Sequence, residues 1–297
     1  MKTMRRRTFS KLAGLGAVAI STTGFIKFNG TSYEGNCETT SDILGPFYRP
    51  DSPETNNLVI EGAQGEIVKL SGTIRHKDCT TPYEGAKVEL WHCSADEIYD
   101  NESDEFRYRG TTYCDANGNY HFTTQMPVPY DVGGGSYRPA HFHLMISAPG
   151  YQSLITQIYF VGDPYLEKDA YSASAEEQGR VRTVRETKGI KMISFDANMN
   201  DKLLASSSAL DQIIGVYKSD KGKSKEFFKK DKLLWMKNEV FGRSYEYVGN
   251  NEFQYAGLPS GMVEKLHFDL QKPGKIKLTY ISVGEDGQKR VREYSKG

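Results

Sequence analysis

An all-β chain is predicted by three features of the sequence. Short runs rich in β-branched and aromatic residues alternate in polarity, turn residues separate them at short intervals, and no long helical period appears. Glycine occurs 29 times and tyrosine 19 times in 297 residues, a composition that favours turns and strands. The predicted architecture is a β-sandwich with long loops, followed by a second, smaller antiparallel β domain.

The chain opens MKTMRRRTFSKLAGLGAVAISTTGF, basic and then weakly apolar over residues 12–20. That apolar core is too short to span a bilayer comfortably, so residues 1–25 are expected to form a signal peptide, with no permanent membrane span in the mature chain. Arg6-Arg7-Thr8-Phe9-Ser10-Lys11 resembles the twin-arginine export signal, and Ala17-Val18-Ala19 offers a cleavage site. The expectation is a protein handled by the twin-arginine export machinery and delivered to the periplasm or the exterior. That compartment is oxidising, and Cys37, Cys79, Cys93 and Cys114 allow three pairings. Cys79 and Cys93 flank one predicted strand and are the expected pair.

Basic and acidic residues balance at 38 each, without a long run of either sign. No nucleic-acid surface is expected, and the substrate need not be polyanionic.

A sandwich of residues 36–201 is read from successive short segments. Residues 44–50 (LGPFYRP) should form an ordered loop, given their glycine, prolines and aromatics. Strands are predicted at residues 68–75 (VKLSGTIR) and 87–92 (KVELWH), the second placing Val88, Leu90 and His92 on one face and Glu89 and Trp91 on the other. A strong turn at residues 115–119 precedes a strand at Tyr120-His121-Phe122. Further strands follow at 140–147 and 153–161, then a long excursion at 163–185 with a helical turn, and a closing strand at 191–197. Residues 205–297 read differently. One short helix at 203–214 leads into strands punctuated at intervals of roughly ten residues, the pattern of an antiparallel meander. His267 alternates with Leu266 and Phe268 there and is read as structural.

The chemistry concentrates in residues 130–143, YDVGGGSYRPAHFH. In an extended strand His141 and His143 point to the same side, roughly 6–7 Å apart at the backbone, and form a chelating pair. Gly133, Gly134 and Gly135 let the chain turn back after Tyr130. The following LMISAPGYQSLITQ holds neither the glutamate nor the later histidine of a cupin-like site. No further histidine or cysteine lies at the short spacing of a zinc site. Asp131 could complete a two-histidine, one-carboxylate iron(II) site. Tyrosine is abundant instead, and a phenolate is a hard anionic donor; two of them would favour iron(III).

Gly45-Pro46-Phe47-Tyr48, Val88-Glu89-Leu90-Trp91-His92, Tyr99, Pro129-Tyr130, Arg138-Pro139-Ala140-His141-Phe142-His143 and Thr156-Gln157-Ile158-Tyr159-Phe160 occur in order over roughly residues 44 to 197. Together they resemble the intradiol ring-cleavage dioxygenases. The resemblance implies one Fe(3+) per chain, held by Tyr99 and His143 as equatorial ligands and by Tyr130 and His141 as axial ones. Tyr130 would be the tyrosinate that leaves the metal when substrate binds. Arg138 would stabilise negative charge on the substrate ring, and Gln157 would sit beside it. Pro46, Phe47 and Tyr48 would line the substrate pocket. The implied reaction joins a small-molecule catechol with O2, breaking the bond between its two hydroxylated carbons to give a cis,cis-muconate-type diacid. Tyr137 stands where the family often has tryptophan and is read as packing; Tyr108 and Tyr113 are not assigned to the metal. An exported β-sandwich binding protein, or a carrier of iron or catecholates without turnover, is the alternative, and Arg138 with Gln157 favours the enzyme.

Overall fold

The computed structural model describes residues 25–28, 33–36, 38–172, 175, 179–200, 203–259, 261–270 and 275–297. Two compact units divide the chain, Met1–Glu38 and Thr39–Gly297. In the first, β1 (Phe25–Phe28) and β2 (Tyr33–Asn36) form an antiparallel hairpin. The export signal expected over residues 1–25 lies outside the described residues except for Phe25, and so does Cys37.

The second unit begins with two five-stranded sheets. One contains β3 (Ile67–Arg75), β6 (Asn119–Gln125), β12 (Arg185–Thr187), β13 (Ile190–Ser194) and β14 (Ala197–Asn198). The other runs in the order β11 (Val181–Arg182), β10 (Leu154–Phe160), β9 (His141–Ser147), β4 (Lys87–Trp91) and β5 (Arg109–Tyr113). Between β6 and β9 along the chain, β7 (Tyr130–Asp131) and β8 (Tyr137–Arg138) make a separate small hairpin. Val68, Leu70 and Phe122 from the first sheet meet Val88, Leu90, Phe142, Leu144 and Ile158 from the second in one apolar core. That core is the sandwich.

Strand β9 is buried along both faces. Phe142, Leu144 and Ile146 point into the sandwich; by strict alternation His141, His143 and Met145 point the other way. Neighbouring strands obey the same rule. Register pairs His143 with both Gln157 of β10 and Trp91 of β4, and His141 with Tyr159. The outer face of this sheet is therefore a row of polar and aromatic side chains, covered by loops and by the C-terminal strands.

The helix α1 (Ser207–Ile213) is capped by Ser206, whose hydroxyl accepts from the Ala209 amide at 3.1 Å. It is shorter than the segment 203–214 expected, because Leu203 and Leu204 are exposed at one end and Ile214 leaves the helix in an extended conformation at the other. The next eight strands are β15 (Gly215–Lys218), β16 (Ser224–Lys230), β17 (Leu233–Lys237), β18 (Gly242–Gly249), β19 (Glu252–Gln254), β20 (Val263–Asp269), β21 (Lys277–Val283) and β22 (Lys289–Lys296). They do not stop at a meander. β22 pairs back onto β15, Tyr217 opposite Lys296, and closes a barrel. The closing strand is hard to see in sequence because KRVREYSK buries only Tyr294 and exposes charge on its outer face. Strand β5 was missed for a similar reason: RGTTY carries no aliphatic pattern.

Gly72 in β3 marks the tightest packing in the sandwich. A Cβ there would lie 1.8 Å from the Phe195 carbonyl oxygen and 3.0 Å from the Tyr120 ring. The obstacle is backbone, which cannot rotate away. Gly72→Ala is expected to cost about 1–3 kcal/mol or more; a urea midpoint matching wild type would contradict this.

Candidate metal centre

His141 and His143 are each 1 % exposed, with their Nε2 atoms 3.0 Å apart. His141 gives its Nδ1 proton to the Pro139 carbonyl at 2.6 Å, which leaves the Nε2 lone pair facing His143. The start of the strand is pinned by the Ala140 amide, which donates to Asp163 Oδ2 at 2.8 Å. Burial holds both imidazoles well below their ordinary range, reinforced by Arg138 at His141 and by His141 at His143. Both are thus neutral, the form that binds a metal.

Two phenols close on the same point. Tyr99 Oη lies 3.4 Å from His141 Nε2, and the Tyr99 and Tyr130 rings meet edge-on at 5.4 Å. Tyr99 comes from the loop after β4 and Tyr130 from the β7–β8 hairpin, which sets Tyr130 opposite Arg138. Gly133, Gly134 and Gly135 turn that hairpin with φ of +110°, +68° and +78°. Burial pushes both phenols above the ordinary tyrosine range; the neighbouring Tyr130 raises Tyr99 further, whereas Arg138 opposes the rise at Tyr130. Each is a neutral phenol until a strong positive charge is placed beside it.

The donor set fits a trivalent, hard cation: two neutral imidazoles and two phenols that such a charge would ionise. No cluster of three or more His, Cys, Asp or Glu occurs among the described residues. Asp131 does not complete the set; it is exposed and its Oδ1 accepts from the Gly133 amide at 2.7 Å.

Beside the four donors stands a buried polar network. Arg138 Nη2 donates to Gln157 Oε1 at 2.8 Å and to Tyr159 Oη at 3.1 Å, and its Nε lies 3.0 Å from Asp169 Oδ1. Burial opposes its charge, but Tyr159, Asp169, Tyr130 and Asp42 outweigh burial and raise its pKa. Gln157 is oriented at both ends, since its Nε2 donates to the Ile43 carbonyl at 2.7 Å. Tyr159 can give its single proton to Gln157 Oε1 at 2.8 Å or to Asp42 Oδ2 at 3.1 Å. Asp42 in turn pairs with Arg180, both almost fully buried. These residues bring the guanidinium to one side of the donor cluster and hold it rigidly.

Of the three expected wall residues, Phe47 stacks on Tyr99 at 4.4 Å and meets Tyr130 edge-on at 6.3 Å. Tyr48 is buried behind Trp91, its hydroxyl 3.1 Å from Glu89 Oε1. Pro46 is exposed. Tyr137 stacks on Tyr165 at 4.8 Å, Tyr108 packs on His92, and Tyr113 is exposed, so none of these three joins the cluster.

The expected Cys79–Cys93 pair is not formed. Cys79 is disulfide-bonded, whereas Cys93 and Cys114 are free and buried. Cys93 faces the outer apolar cluster with Tyr99 and Tyr130, and Cys114 faces the sandwich core; flanking a strand placed neither beside Cys79.

Sequence reasoning missed several supports. Arg109, 2 % exposed, donates to the Phe47 carbonyl and the Asp100 carbonyl, each at 2.7 Å, and to Asn101 Oδ1 at 3.0 Å. It ties the Tyr99 loop to the Phe47 loop. Asp42, Asp169, Arg180 and Trp235 were also passed over, being ordinary residues until the fold brings them to the site.

Residues 43–203 match the family model described as Dioxygenase. The chain is 34 % identical over 178 residues to hydroxyquinol 1,2-dioxygenase of Corynebacterium glutamicum, an alignment covering 52 % of this chain and 58 % of that protein. It is 37 % identical over 166 residues to catechol 1,2-dioxygenase of Candida albicans, covering 48 % and 54 %. It thus spans little more than half the length of these relatives. The crystal structure of catechol 1,2-dioxygenase from Pseudomonas arvilla C-1 shares the fold, with a TM-score of 0.50 at 24 % identity over 68 % of this chain and 70 % of that one. Alignment and fold agree with the motif order around the four donors, and the chain belongs to the intradiol ring-cleavage dioxygenase family.

Proposed function

We propose that this protein is a non-haem iron(III) dioxygenase that cleaves a catechol between its two hydroxylated carbons, adding both atoms of O2 to give a cis,cis-muconate-type diacid. The observation that carries the reading is the convergence of His141, His143, Tyr99 and Tyr130 beside a buried, charged Arg138, in a chain of this family. The related proteins are named for hydroxyquinol and catechol, which supports an ortho-diphenol as the substrate class.

His141, His143, Tyr99 and Tyr130 would hold one Fe(3+) per chain. When bound, the ion supplies a Lewis acid that withdraws charge from a catecholate and opens its ring to attack by O2. The protein's own groups do the rest. Tyr130 is the proton holder: burial favours its neutral phenol, so its Oη takes up a proton from the incoming substrate hydroxyl. Arg138 presents a fixed positive charge where negative charge develops, and Gln157, Tyr159 and Asp169 prevent it from relaxing. Phe47 covers Tyr99 and keeps water from the reacting bonds. The N-terminal sequence supports export of this enzyme by the twin-arginine machinery to the periplasm or the exterior.

The test is visible spectroscopy of protein supplied with iron(III), without oxygen, before and after catechol, followed by admission of air. Expected are a charge-transfer band from phenolate to iron, a shift of that band with catechol, and then uptake of one O2 per catechol with formation of the diacid. A band that shifts without oxygen uptake would establish the carrier alternative. Protein that stays colourless after iron loading would refute the metal site itself.

A further inference from the structure

His143 lacks the support that metal-binding histidines usually have. Its Nδ1 is buried with no hydrogen-bond partner among the described residues, whereas His141 Nδ1 is tied to a carbonyl. The rotation of a ligating imidazole is ordinarily set by such a bond. Its Nε2 meets His141 Nε2 at 3.0 Å, and the His141 and Tyr99 rings pack on its donor side. Away from the donor cluster, Trp91 lies on its face at 4.8 Å and 7°, and the Trp91 indole N–H is itself unpartnered among the described residues. Gly45 also approaches closely; a Cβ there would come 3.1 Å from His143 Cε1.

Both supports lead to the barrel. Tyr48 meets Trp91 edge-on at 5.0 Å, and Trp235 of β17 stacks on Tyr48 at 5.6 Å and 25°. Trp235 is fully buried and shares one apolar cluster with Tyr48, Trp91, Tyr99 and Tyr130. Residues 41–48, which carry Gly45, are held by the barrel from the other side. Ile43 belongs to the barrel's own core with Tyr217, Phe253 and Leu266. Ser41 Oγ donates to Glu246 Oε1 at 2.8 Å. Gly257, with φ +73°, sits where a Cβ would lie 2.4 Å from the Asp42 carbonyl carbon and the Ile43 nitrogen. The segment that orients Gln157 and abuts His143 is thus clamped between barrel and sandwich.

We infer that the C-terminal barrel is a working part of the metal centre, and that Trp235 is a positioning residue for His143, acting through Tyr48 and Trp91. The barrel lies beyond the matched residues 43–203, so the family match does not include this brace. The inference rests on the proposed iron site, and its first readout needs no metal.

In full-length, metal-free protein, Trp235→Leu keeps apolar volume but removes the ring; it is expected to shift the His143 Cε1–H resonance, which feels the Trp91 ring current. Trp235→Phe should restore the wild-type position. Tyr48→Leu breaks the same chain at its middle and should shift the resonance too, which keeps the test open if Trp235→Leu fails to fold. Leu278→Val loosens the barrel core on β21, four strands from β17 either way round, and should leave the resonance in place. After loading with iron(III), Trp235→Leu is expected to lose the metal to a chelator about 10–100-fold faster, the range associated with removing an outer support. A resonance unmoved by Trp235→Leu and Tyr48→Leu, or moved equally by Leu278→Val, would overturn the brace. If wild type retains no iron(III), the proposed function fails, while the metal-free resonance still reports on Trp235.

Discussion

His143→Leu is expected to abolish iron(III) retention and catechol turnover while leaving the metal-free protein about as stable as wild type. The two effects differ because a metal needs the imidazole donor, whereas the gains and losses of polar pairing in the metal-free fold nearly cancel. His143 is 1 % exposed, its Nδ1 has no hydrogen-bond partner among the described residues, and its Nε2 meets the Nε2 of His141 at 3.0 Å. A buried polar atom left unpaired costs about 1–3 kcal/mol; an apolar side chain of similar size removes that cost at Nδ1 and transfers it to His141 Nε2, which loses its partner. Removing a ligand should weaken iron binding beyond the about 10–100-fold typical of an outer support. Thermal unfolding of metal-free protein and iron titration of the same samples would check both. A large loss of stability in the metal-free variant would mean that His143 is a structural residue.

Arg180→Met should be the most damaging single change outside the donor set, at about 3–5 kcal/mol near neutral pH. Arg180 and Asp42 are paired with 2 % and 0 % of their side chains exposed. Loss of the guanidinium leaves a carboxylate with no full counter-charge in contact with it. The effect should depend on pH in a defined direction. Burial raises the folded-state pKa of Asp42 above 3.8, and Arg180 opposes that rise. A raised carboxyl favours the folded state fully below its unfolded value near 3.8, and this contribution is lost as pH rises through the folded value. Without Arg180 the folded value climbs further, so the deficit against wild type should be largest at neutral pH and shrink toward pH 4. Urea unfolding of both proteins across that range measures it. A deficit that does not change with pH would mean that Asp42 is not the group left exposed to the loss. Catalysis should suffer too, because Asp42 also meets the Tyr159 hydroxyl that supports Arg138.

The clustering of the site residues was legible because strand periodicity alone puts His141 and His143 on one side, and resemblance in the order of motifs pointed to Tyr99, Tyr130, Arg138 and Gln157, which the fold brings beside them. Alternation also separated Trp91 from Leu90 correctly. By contrast, Asp42, Asp169 and Arg180 carry no local pattern; they become significant through contacts spanning 31 to 138 positions of chain, such as Arg138 with Asp169 and Arg180 with Asp42. The cysteines failed for a related reason, since pairing depends on where each Cβ points in the folded sheets and not on which strand it flanks.

The sequence by itself determined what depends on neighbours along the chain: an all-β architecture, the faces of β4 and β9, and the glycine turn behind Tyr130. Tertiary structure decided what depends on long-range closure. It joined β22 to β15 to make a barrel, set Trp235 against Tyr48 and Ile43 into the barrel core, and so clamped residues 41–48 over the site. Periodicity is a one-dimensional signal and can reveal which side of a strand is apolar. It does not say which distant surface will cover that side, because that choice is made by packing.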